Sequence, residues 1–323
     1  MNFNFGEVLT RAGQITWKHK MLWISGIIIG LIGILPTSVS LMFTNPFSSF
    51  AVGDPAEINQ RMVPMLLVNG LIFLLSIASI PVYIVGMAIP SLATCRLEMG
   101  SKALAFGELI MESLKYFWRV LGIFLLVWVG MFVVVMAFMA CIGVLSVITL
   151  GLGVICAFPL FILFIPLAIL SYSFTEQGVS AVVVDDLGIS DALQRAWTLV
   201  KKNFGVMALM SIILYLASMI VGMVISVPMM IPMFGFISSM GVEPDFEAFD
   251  KIFRNMTWWM LAFSPLYAVF QGILLAFMQS AWTLTYMRLT RKPVSSDVTT
   301  IGSVSPVVPD DDADKTVIAR PNA

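Results

Sequence analysis

Residues 120–175 run for 56 positions without one ionisable side chain, where a soluble chain carries a charge at about one position in four. Four further charge-free runs, 21–53, 62–95, 203–242 and 255–287, surround it. A hydrocarbon layer about 30 Å thick is crossed by ~20 helical residues, so the long run holds two crossings and each other run holds one. The expected fold is therefore an all-α membrane protein with six transmembrane helices, near 21–43, 63–92, 119–140, 154–174, 205–233 and 258–287. A chain that is 59% hydrophobic and 11% charged, with a mean hydropathy of +0.96, has more apolar surface than a soluble core can absorb.

The positive-inside rule sets the orientation. Fifteen of the 18 Lys and Arg residues fall in segments 1–20, 93–119, 175–204 and the C-terminal tail, leaving only Arg61, Lys251 and Arg254 on the other side. Both termini are then expected inside, which requires an even number of crossings. Trp17, Trp23, Trp118, Trp258, Trp259 and Trp282 lie near the expected span ends, as an interfacial aromatic belt requires. The first span is expected to remain in the membrane. Its apolar run exceeds the core of a cleavable signal, and a polar, helix-patterned segment precedes it.

A short segment recurs before the first, third and fifth spans: Phe5-Gly6-Glu7, Phe106-Gly107-Glu108 and Ile189-Ser190-Asp191, each an apolar residue, a small one and an acid. Eleven positions after the small residue come Trp17-Lys18, Trp118-Arg119 and Lys201-Lys202. Apolar residues within each copy fall at helical intervals opposite residues such as Arg11, Gln14, Lys115, Arg195 and Lys202, the pattern of a helix in the plane of the membrane interface. Asn4 with Glu7 is expected to cap the first copy, Glu7 and Arg11 to pair across one turn, and Ser190 to cap the third. Three repeat units follow, about 1–92, 101–175 and 188–289, each an amphipathic helix and a transmembrane hairpin. Together they make an integral membrane domain over 1–290, followed by a tail over 291–323. Lys18, Lys20, Lys115, Arg119, Arg195, Lys201 and Lys202 are the basic residues expected to meet anionic headgroups. His19 belongs to the same basic cluster, with a pH-sensing role as the alternative.

Residues 5–23, residues 190–205 (Ser190-Asp191-Ala192-Leu193-Gln194-Arg195-Ala196-Trp197 onward) and the six-span layout resemble a loose bacterial group. It includes the membrane domain attached to some glycerophosphodiester phosphodiesterases and related six-span families. The resemblance covers about 1–290 and implies architecture. In the fused enzymes catalysis belongs to a separate soluble barrel, which this chain does not contain, so the activity does not carry over.

Several chemistries are set aside. Cys95, Cys141 and Cys156 have no ligand spacing and accompany one histidine, so they read as small buried hydrophobes; no metal and no cofactor is expected. Basic and aromatic residues are not interleaved, which argues against nucleic acid. The six spans as drawn hold no ionisable residue and no nucleophile-and-base pair, which weakens ion-coupled transport and argues against an enzyme. Polar groups in the spans include Asn69, Ser76, Tyr83, Gln271 and Gln279, expected to bond between helices or, for Tyr83, Gln271 and Gln279, to line a cavity. Gly26-x-x-x-Gly30 and Ser218-x-x-x-Gly222-x-x-x-Ser226 mark sites of close packing. Prolines 36, 64, 81, 90, 159, 166, 228, 232 and 265 favour kinks, and residues 142–153 are expected to turn outside the membrane. In the tail, the acidic run before Thr316 resembles a docking or phosphorylation motif, on a segment expected to be disordered. The leading expectation is a non-enzymatic scaffold or accessory protein of a prokaryotic cytoplasmic membrane, engaging membrane lipids and a cytoplasmic protein partner. A permease or lipid-handling transporter with a cavity between kinked helices is the alternative.

Overall fold

The computed structural model describes residues 3–43, 55–101, 104–149, 164–239 and 246–290. Among them every regular element is helical: α1 (Phe5–Lys18), a single 3-10 turn (Lys20–Leu22), α2 (Trp23–Phe43), α3 (Pro55–Glu98), α4 (Phe106–Ile148), α5 (Phe164–Asp185), α6 (Ile189–Lys202), α7 (Phe204–Ser239) and α8 (Phe246–Thr290). Five segments within α3, α4, α5, α7 and α8 are long and apolar enough to cross a membrane. The α1–α2 pair, bent by 88° at His19, brings the number to six if it is counted as one span. The protein is a multi-pass membrane protein.

The helices outrun the expected spans. α3, α4 and α8 hold 44, 43 and 45 residues, about twice what a hydrocarbon crossing takes. α3 and α8 continue through their prolines. The expected outer turn at 142–153 begins later, because α4 stays helical to Ile148; residues 150–163 lie outside the described residues, as do Cys156 and the whole tail with Thr316.

Helix contacts follow a cyclic rule. α3, α5 and α8 touch one another, and α2 packs against α3 and α8, α4 against α3 and α5, and α7 against α5 and α8. α2 and α8 approach most closely. A Cβ on Gly26 would stand 2.6 Å from the Gly272 Cα, and one on Gly30 would stand 3.0 Å from the Ala268 Cα, so the Gly26-x-x-x-Gly30 motif finds its partner within the chain. The similar stripe on α7 does not, since a Cβ on Gly222 meets nothing within 4 Å.

The amphipathic segments close one end of the bundle. α1 buries Val8, Ala12, Ile15 and Thr16 and packs on α8, while α6 buries Ala192, Ala196, Leu199 and Val200 and packs on α5. Asn4 caps α1, accepting from the Glu7 amide at 3.1 Å, but α6 is capped by Gly188 with Ser190 inside its first turn. Nor do Glu7 and Arg11 pair with each other. Tertiary partners win: Arg288 of α8 reaches Glu7 at 3.0 Å, and Glu98 of α3 takes Arg11 at 2.8 Å and Arg288 at 3.8 Å. The α1–α2 corner is fixed by the Trp23 indole, which donates to the Thr16 carbonyl at 2.9 Å. Burial, then the cations of Lys18 and Arg11, hold His19 below its usual pKa. The second copy differs from the other two: it forms the start of α4, which continues without a break through Trp118-Arg119.

Because one carboxylate bridges α1, α3 and α8, Glu98→Gln is expected to lower stability by about 1 kcal/mol, measured as the thermal midpoint of detergent-solubilised protein. Lys115→Gln, on an exposed face, is expected to leave it unchanged.

Packing is uneven along the bundle. Residues 84–95 of α3 are all buried except the partly covered Val85, whereas no described side chain from 63 to 83 is buried. Positions 68, 72, 75, 79 and 82 are half-covered, a single helical stripe continuous with Gly86, where a Cβ would strike Ile29 of α2. At 100° per residue the remaining exposed positions cover about 240° of the helix. α4 beyond Ile123 and α7 beyond Leu214 also bury no described side chain. Each of these three helices is therefore packed at one end of the bundle and exposes apolar side chains such as Leu67, Phe73, Leu74, Phe132 and Met223 towards the other.

Candidate functional site: a polar layer across three helices

The tight end contains a polar layer to which each of the three mutually touching helices gives one residue. Ser91 of α3 donates to the Gln279 Oε1 of α8 at 3.1 Å, and the Gln279 Nε2 donates to the Glu176 Oε1 of α5 at 3.2 Å. All three side chains are buried. Neighbouring hydroxyls extend the layer, with Thr94 donating to Ser280 at 2.9 Å and Ser173 bonding Ser211 of α7. In an apolar surround each such bond also spares its groups the cost of being buried unpaired, ~1–3 kcal/mol apiece.

Local sequence explains the positions. Ser91 and Thr94 lie one turn apart just beyond Pro90, within the enclosed part of α3, and their hydroxyls also reach back to the carbonyls of Met87 and Pro90. Gln279 and Ser280 sit where α8 becomes buried. On α5, Gly178 lets the helix approach Ile123 of α4, at 3.1 Å from a Cβ there, and holds Glu176 against the bundle.

Not every polar atom finds a partner. Among the described residues, the Glu176 Oε2, both amide atoms of Gln177 and the Trp282 Nε1 are buried without a partner in hydrogen-bonding geometry. No Lys, Arg or His of the described residues forms a salt bridge with Glu176. Tyr172, one turn before Glu176, lies against its carboxyl and against the Trp282 ring, centroids 5.8 Å apart. Tyr83 of α3 interacts electrostatically with Glu176 and packs on Phe124 of α4 at 5.8 Å. These tyrosines are 37% and 38% exposed and mark the boundary between the enclosed and open parts of the bundle.

Of the residues expected to line a cavity, Tyr83 and Gln279 come together at Glu176. Gln271 does not: its Cβ faces Gly30 at the α2 seam, about 12 Å along α8 from Gln279. Glu176 was not expected, and it overturns the reading of the spans as free of ionisable groups. Among the basic candidates, Lys18, Lys20, Lys115, Arg195, Lys201 and Lys202 are exposed, while Arg119 pairs with Asp186 at 2.6 Å. Tyr286 bonds Asp185 and lies within reach of Arg195. Trp17, Trp118 and Trp197 expose 61%, 74% and 61% of their surface on the same segments.

No family model, curated protein or solved structure matches the chain.

Proposed function

We propose that the protein is a non-enzymatic, lipid-handling protein of a prokaryotic cytoplasmic membrane, with three hairpin units, each introduced by an amphipathic segment, and both termini inside. The observation that carries this reading is the opening of α3: a membrane-length stretch exposed over about 240°, ending at a buried polar layer. A bundle built only to hold its helices together has no use for an inner helix stripped of neighbours over half its length. Apolar side chains flank the open length of α3, and the buried polar layer of Glu176, Gln279 and Ser91 lies at its enclosed end, an order that suits a tail and a polar head. The likeness to membrane domains attached to some glycerophosphodiester phosphodiesterases supports the three-unit architecture alone.

Mass spectrometry of the full chain in native lipid nanodiscs tests the proposal. A lipid or lipid-like metabolite retained in fixed proportion is expected, equally in a form ending at Arg291. Tyr83→Phe is expected to reduce its occupancy severalfold, whereas Gln271→Leu, away from Glu176, is expected to leave it unchanged. Only bulk lipid in every form would sink the proposal.

A scaffold reading draws on a different observation, the exposed lysines and tryptophans of α1, α4 and α6. It expects charge reversal at Arg195, Lys201 and Lys202 to weaken binding to vesicles of anionic lipid. Removal of 292–323 should release a protein partner, and retention of that partner after both changes would end this reading.

A further inference from the structure

A buried carboxyl group with one oxygen free demands a complement. Glu176 is 2% exposed; its Oε1 accepts from Gln279, its Oε2 has no partner in hydrogen-bonding geometry although the Tyr172 hydroxyl stands beside the carboxyl group, and no described cation pairs with it. Around it stand three aromatic rings. Tyr172 lies against both the carboxyl and Trp282, and Tyr83 of α3 interacts electrostatically with that carboxyl. An acid among aromatic rings suits a cation, which charge and ring quadrupoles can hold together.

The approach to this group is also built. Asn69, Ser76 and Tyr83 are seven residues apart on α3 and so share one face, and all three are exposed. That face is not the one packed on α2, because Gly86 and the half-covered stripe point there. Tyr83 turns it towards Phe124 and Glu176, so the polar line runs from the open part of the bundle down to the carboxyl group. Beside it Leu66, Leu67, Phe73 and Leu74 offer apolar surface for a chain.

We propose that the polar layer binds an amphiphile with a protonated amine head, its ammonium seated between the Glu176 carboxylate and the rings of Tyr172 and Tyr83, and its alkyl chain among the open halves of the helices. This rests on the lipid-handling reading and names the class of ligand. Tyr83 and Tyr172 form the rim that the head passes, while Gln279 and Ser91 hold the carboxyl group in place.

Binding of radiolabelled dodecylamine and of dodecanol to the full chain in a neutral sugar detergent, corrected for uptake by empty micelles, tests it. Saturable binding of one dodecylamine per chain is expected, with dodecanol at least tenfold weaker. Glu176→Gln, close in shape and still able to meet Gln279, should weaken the amine at least tenfold and leave the alcohol unchanged. Tyr172→Phe, which keeps the ring and loses the hydroxyl, supplies a second variant with a few-fold loss. Equal binding of amine and alcohol would overturn the ammonium assignment and leave the lipid-handling reading standing. No binding of either would overturn both, and amine affinity unchanged in whichever variant folds would also overturn the assignment.

Discussion

Gly272→Leu is expected to abolish recovery of monodisperse protein, the largest effect of any single change in the membrane-spanning part. Even a Cβ at Gly272 would stand 2.5 Å from the Trp23 carbonyl oxygen and 3.1 Å from the Ile27 amide, and neither backbone atom can swing aside as a flexible side chain would. The α2–α8 seam would have to open along its length, losing the contacts of Gly26 and Gly30 with it. Overpacking of a close interior contact costs about 1–3 kcal/mol and more where backbone must move, a large share of the stability of any domain. Gly222→Leu is the matched control: its Cβ meets nothing, and leucine favours the helix. Size-exclusion profiles and thermal midpoints in one detergent separate the two. A normal profile for Gly272→Leu would mean that the seam is not as close as described.

Gln279→Leu is expected to lower stability by about 2 kcal/mol, because it strands the buried Glu176 Oε1 and takes from the Ser91 hydroxyl its partner on α8, leaving it only the Met87 carbonyl. Adding Glu176→Leu to that variant is expected to recover most of the loss. A bonded polar pair and a well-packed apolar pair are close in free energy, whereas half a pair is costly. The sign of the second step is the informative quantity. Further destabilisation in the double variant would mean that Glu176 has another partner in the folded protein that outweighs its burial. The same double variant is expected to bind no amine, so stability and binding would move in opposite directions, as they do when a polar group is kept for function.

The membrane-length apolar helices, five or six of them, were legible in the sequence because the bilayer imposes a minimum length of apolar helix that no tertiary context relaxes. Their ends were not. Arg96, Glu98 and Asp185 all lie within helices that the charge pattern ends earlier, since charged residues stay helical where other helices shelter or pair them. Glu176 was missed for that reason: standing one residue past a charge-free run, it read as the start of a 30-residue connection. The signal against that reading was present in Gly178-Val179-Ser180-Ala181-Val182-Val183-Val184, too apolar for a long exposed loop. Motif chemistry likewise stopped at pairing. Gly26-x-x-x-Gly30 and Ser218-x-x-x-Gly222 carry the same local message, yet only the first meets a helix, because the partner is fixed by the cyclic arrangement of α3, α5 and α8 and not by spacing along one chain. Gln279 was visible as a polar residue in an apolar run, but its role depended on a carboxyl group 103 positions away.

Handling of a lipid beside α3 requires that this helix be enclosed at one end and uncovered on all but one face over the rest. Nitroxide spin labels placed singly at positions 66 to 95, in the full chain in lipid bilayers, report that directly through collision with oxygen. High accessibility is expected at 66, 67, 69, 71, 73, 74, 76, 77 and 80, a dip at 68, 72, 75 and 79, and a sustained fall from 84 onward. A second protected face between 66 and 80, with the 3.6-residue rhythm of a helix packed on two sides, would contradict the open site and with it the proposed handling of lipid.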